Sequence, residues 1–190
     1  MRVKARTLAG MMTGTTIMFL FGAVWQLLGI MGGRPSPAWL RISLVLAGLL
    51  IALWIAVVSK DVLRLSRAAP PPTVEEKAIG EQIGRRFGWV SGLEGAAIVA
   101  AIILLNVIHR PHAIAPAIAL IVGLHFFPLA GVFSAPFYYF TGAVGSAIGI
   151  AGFLIPDVPL RLSFIGLAFG LLLWITSLVR LVQASFLINA

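Results

Sequence analysis

Gly22-Ala23-Val24-Trp25-Gln26-Leu27-Leu28-Gly29-Ile30 begins an apolar hairpin whose pattern returns at Gly142-Ala143-Val144-Gly145-Ser146-Ala147-Ile148-Gly149-Ile150. Laid side by side without a gap, residues 18–55 and 138–175 are identical at 12 of 38 positions. The matches include Arg41-x-Ser43 with Arg161-x-Ser163, and Leu53-Trp54-Ile55 with Leu173-Trp174-Ile175. Apolar bias raises chance identity, but it does not place two such motifs at one separation. Self-similarity of this kind marks a duplicated structural unit. A fainter copy lies between them, where Phe87-Gly88-Trp89-Val90 through Gly95 follows the pattern of Phe21-Gly22-Ala23-Val24 through Gly29. The expected fold is therefore all-α: six transmembrane helices as three hairpins, the first and third an internal repeat, in one integral membrane domain over 1–190.

Composition supports lipid as the solvent. The 190 residues are 60% hydrophobic and 11% charged, with a mean hydropathy of +1.05, too little polar surface for a soluble domain. The chain has no cysteine, so disulfides and thiolate chemistry are excluded. The formal charge is +8. Its basic residues sit at the ends of apolar runs, which fits membrane topology and not a nucleic-acid partner.

Runs close to the ~20 residues needed to cross a bilayer set the expected spans at 11–31, 38–59, 87–108, 114–133, 137–155 and 160–182. The first follows Arg2, Lys4 and Arg6. It is long for a signal peptide and lacks a clear small-x-small cleavage site. Gly32-Gly33-Arg34-Pro35-Ser36-Pro37 breaks the chain after it. Residues 60–86 form the long polar loop. There Pro70-Pro71-Pro72 stops a helix, and Thr73 with Glu76 signals a capping box. Ile79, Ile83 and Phe87, with Lys77, Glu81 and Arg85, predict a short amphipathic helix on the membrane surface before the chain turns inward. With the N-terminus inside, ten Lys and Arg fall on the cytoplasmic side and four (Arg34, Arg41, Arg110, Arg161) outside. The positive-inside rule then places both termini in the cytoplasm, as for a bacterial inner-membrane protein. The repeated glycines lie on single helix faces, where they let backbones pack closely. Trp54 and Trp174 read as interface anchors.

Glu94 is the most informative residue. A carboxylate inside a span is costly and usually has a partner within the protein, and the repeat equivalents Leu28 and Ile148 are apolar. His125 lies inside the adjacent antiparallel span, at about the same depth by the ~1.5 Å rise per residue. Ser91, Tyr138, Tyr139, Thr141 and Thr176 fall in the same half of the membrane, with Thr13, Thr15, Thr16 and Ser177. Pro128 frees the Leu124 carbonyl and predicts a kink beside His125. The sharp reading is a binding site for a proton, cation or small solute built on Glu94 and His125. The plainer reading is a polar contact that fixes helix packing.

His109 and His112 flank Pro111 with no acidic or thiol ligand nearby, so they point to an interface role and not to a metal. No nucleophile elbow, phosphate loop or zinc-protease motif occurs, which argues against an enzyme and implies no cofactor. The element Leu124-His125-Phe126-Phe127-Pro128-Leu129-Ala130 resembles a Leu-His-Phe-x-Pro-Leu-Ala element of small bacterial multi-pass membrane proteins of unassigned function. The resemblance covers the fourth span, implies a bacterial inner-membrane protein and carries no activity. The expected functions are a small proton- or cation-linked transporter or channel, or a non-catalytic assembly subunit or sensor acting through its helix faces. Six short spans enclose little volume, so a transport path suggests a homo-oligomer in the lipid bilayer.

Overall fold

The computed structural model describes residues 2–32, 37–68 and 73–189. They form six α-helices: α1 (Arg2–Gly32), α2 (Ala38–Ala68), α3 (Val74–Val107), α4 (Ile114–Val132), α5 (Phe137–Leu154) and α6 (Val158–Asn189). A single 3-10 turn, Pro111–Ala113, joins α3 to α4. All six are long and apolar enough to cross a membrane, which is the architecture of a multi-pass membrane protein.

The two helices of each expected hairpin are not each other's closest spatial partners. The most extensive interfaces are α1 with α6 and α4 with α5, and α6 also meets α5. α3 leans on α4, while α2 lies against α1 and, more lightly, α6. One apolar core gathers Trp25, Ala119, Phe126, Tyr138, Ile165 and Phe169. A second gathers Leu8, Met12, Ile51, Val58, Trp174 and Leu181. Glycine sets both close crossings. A Cβ on Gly22 would strike Trp174 and the Gly170 carbonyl, and one on Gly29 would strike the backbone of Gly166 and Leu167. Across the other crossing, a Cβ on Gly123 would overlap the Ser146 backbone and one on Gly149 the backbone of Leu120. Lipid gives helices no hydrophobic reason to associate, so backbone proximity of this kind supplies the dispersion contact.

α3 differs from the other five helices in having no buried residue. It also departs from the sequence expectation. No separate surface helix precedes the span; Val74 to Val107 is one continuous α-helix. Gly80, Gly84 and Gly88 are tolerated inside a helix, and nothing between Glu81 and Phe87 removes a backbone donor, so no turn is enforced. α2 likewise continues past 59 to Ala68. The capping box forms: the Thr73 amide donates to Glu76 Oε2 at 2.9 Å, and the Glu76 amide donates to Thr73 Oγ1 at 3.2 Å. The breaks expected at 33–36 and Pro70–Pro72 lie outside the described residues. α3 and α4 both close on a left-handed residue, His109 (φ 55°) and Ser134 (φ 48°). The next amide reaches back five residues in each case, Arg110 to Leu105 and Ala135 to Ala130, which satisfies the final carbonyls.

Trp174 corrects a second expectation. It is 5% exposed, and so is no interface anchor. Its indole N–H donates to the Phe19 carbonyl at 3.1 Å, and its ring stacks on Phe19 at 5.7 Å. Its position on α6 places it inside the bundle against α1 and α2.

Candidate functional site

Glu94 and His125 meet. His125 Nε2 lies 3.4 Å from Glu94 Oε2, and the side chains are 9% (His125) and 20% (Glu94) exposed. Glu94 stands thirteen residues before Val107 and His125 eleven after Ile114, about 20 and 17 Å from the α3–α4 turn at the ~1.5 Å rise of a helix. Their match in depth follows from the antiparallel run of α3 and α4 joined by a short turn. The imidazole also faces the Val90 backbone, and its ring meets Phe126 edge-on at 6.2 Å. Phe87 against Phe133, 5.7 Å between centroids, holds the two helices together nearer the opposite end. A carboxylate and an imidazole at this spacing can share or pass one proton, or jointly hold a small cation when the imidazole is neutral. α4 runs unbroken through Pro128.

The remaining residues expected at the site divide. Thr141 and Thr176 are fully buried and joined by a hydroxyl–hydroxyl bond of 2.9 Å between α5 and α6. Each hydroxyl also bonds the carbonyl one turn earlier, Phe137 and Leu172. Ser177 Oγ donates to the Thr15 carbonyl of α1 at 3.0 Å. This buried set ties α1, α5 and α6 together, and among the described residues no hydrogen bond links it to Glu94 or His125. Tyr138 is buried between the groups, edge-on to Phe126 at 5.5 Å. Tyr139 is exposed and lies beside Phe127 at 6.3 Å. Ser91 is half-buried on α3, one turn before Glu94.

Sequence reasoning missed the roles of two arginines, Arg161 counted for the repeat and for topology and Arg180 for topology alone. Arg161 is 6% exposed. Its Nε and one terminal nitrogen donate to the Ile155 carbonyl, and the other donates to the His112 carbonyl at 2.8 Å. It thus clamps the end of α5 to the α3–α4 turn. Arg180 lies over the Tyr138 ring, 5.5 Å from its centroid. Once Thr176 is seen to face Thr141, one turn along antiparallel helices brings Arg180 onto Tyr138. No such pairing leads to Arg161, because its partners are backbone carbonyls brought in by distant turns.

No family model matches this chain, and neither a curated protein nor a solved structure is similar to it.

Proposed function

We propose that this protein is a bacterial inner-membrane protein, with both termini cytoplasmic, that moves a proton or a small cation through a polar site in the cytoplasmic half of the membrane. The observation that carries this reading is the Glu94–His125 pair, two ionisable groups 3.4 Å apart within the apolar stretches of α3 and α4. Ionisable residues inside a span are costly and are candidates for ion or proton pathways by default. The charge count, ten against four, supports the orientation. Duplication of the first and third hairpins belongs to the same reading. Its support is that Gly22 and Gly142, and Gly29 and Gly149, all sit where a neighbouring helix backbone or ring touches them. The likeness of the fourth span to small bacterial membrane proteins agrees with the location. The test is proton or cation flux into liposomes holding the purified protein. Glu94→Gln and His125→Ala are expected to abolish flux while inserting and folding normally; flux retained in both would end this reading. Reporter cysteines in the α2–α3 loop, labelled from either side, test the orientation.

A second reading, a non-catalytic assembly subunit or sensor, is favoured by one observation. α3 buries nothing, and a Cβ on Gly88 or Gly95 would meet nothing within 4 Å, although their counterparts in the sequence pattern seat a helix. In this reading the open face packs on a second copy of the chain. Mass measurement in nanodiscs decides it: a dimer lost on Gly88→Leu supports the reading, and a monomer at all concentrations removes it.

A further inference from the structure

At the end of the bundle nearest the N-terminus, α1, α3, α4, α5 and α6 surround a cavity of about 490 Å³, within the usual range for small-molecule sites. Most of its wall is apolar, with Met11, Ile79, Ile83, Val132 and Phe133 among the lining residues. Arg180 and Tyr138 share that wall. One terminal nitrogen of Arg180 donates to Gln183 Oε1 at 3.1 Å, while Nε is buried without a hydrogen-bond partner. Among the described residues no ion pair engages this guanidinium. A Cβ on Gly14 would stand 3.8 Å from the Tyr138 hydroxyl, which places that hydroxyl on the cavity side of α1. Glu76 also lines the cavity, and its carboxylate accepts the Thr73 amide as the helix cap.

We infer that this cavity binds an anion carrying an apolar tail, its charged head on Arg180 and Tyr138 and its tail along Ile79, Ile83 and Phe133. The acceptor that matches a guanidinium fork on a cavity wall is a carboxylate or phosphate oxygen. Ser134 and Glu76 are the other polar groups on a mostly apolar wall, so most of the ligand's remainder is hydrocarbon. Two sources supply that chemistry, a free long-chain carboxylate and an anionic phospholipid from the bilayer. The site does not depend on Glu94 or His125 carrying a proton.

The experiment uses the purified full chain in nanodiscs of zwitterionic phosphatidylcholine. Spin-labelled fatty acid and spin-labelled phosphatidylglycerol are added separately, and the immobilised fraction gives relative association against spin-labelled phosphatidylcholine. One or both anions are expected to associate more tightly than the neutral lipid, and the one preferred identifies the source. Arg180→Gln is expected to weaken that preference by roughly tenfold, the scale of one lost charge-assisted contact. Gly80→Leu is the control for folding. It points into the cavity from a position where an added Cβ meets nothing within 4 Å, so it fills the space while the thermal midpoint stays at or above wild type. Loss of preference in both variants supports the site. No preference for either anion overturns it. So does a preference that survives Gly80→Leu, which would reduce Arg180 to a surface charge attracting anionic lipid.

Discussion

Residues 18–55 and 138–175 match at Trp54 and Trp174, and at Arg41 and Arg161, yet the structure treats the two members of each pair differently. Trp174 is 5% exposed and hydrogen-bonded to α1, whereas Trp54 is 39% exposed on the outer face of α2. Arg161 is buried on two backbone carbonyls, whereas Arg41 lies exposed. The glycines behave alike: Gly22 and Gly29 seat α6, and Gly142 and Gly149 seat α4. Local chemistry that acts on one helix face is thus reproduced in both stretches. Whatever depends on how many helices surround that face is not, because α6 sits among α1, α2 and α5 while α2 sits at the edge.

Enlarging a seated glycine should have the largest effect. Gly123→Leu or Gly29→Leu drives a side chain into a facing backbone, with an expected cost of about 3 kcal/mol or more. Gly92→Leu on the open face of α3 should be nearly neutral in thermal denaturation in detergent. Equal losses at seated and open glycines would contradict the packing described. Trp174→Ala should follow, with about 3–5 kcal/mol lost from a buried ring, against less than about 1 kcal/mol for Trp54→Ala. A large loss at Trp54 would mean that α2 is covered in the membrane. Arg161→Ala removes three donors from carbonyls and is expected to cost about 2 kcal/mol; Arg41→Ala is the neutral control, read from the same melts. The smallest effect is Thr141→Val, about 1 kcal/mol for one interhelical hydroxyl bond, and a double-mutant cycle with Thr176→Val should return most of that as coupling.

Much of the fold was legible because lipid imposes a simple rule: long apolar runs become helices, and their lengths count the spans. The capping box at Thr73 was legible for a local reason, since two side chains three residues apart satisfy each other's amides. The α3 start was not. Amphipathic spacing over Lys77–Phe87 is compatible with a surface helix or with the first turns of a longer one, and no residue there decides between them. Glu94 and His125 could be paired from depth alone, since a short turn fixes the register of α3 against α4. Arg161 and the burial of Trp174 depend on α6 lying beside α1, a contact between the two ends of the chain that no local pattern announces.

Glu94 and His125 are proposed to form a working site and not only a helix contact. The most direct test is the thermal stability of the purified protein across a panel of monovalent and divalent cations and pH values, repeated on Glu94→Gln. A cation that binds the folded state at a hundred times its Kd adds about 2.7 kcal/mol, a readily visible rise in midpoint. Such a rise is expected for at least one cation or pH step in the wild type, and none in Glu94→Gln. A variant that is simply less stable, with wild type and variant answering every cation and pH in parallel, would contradict it.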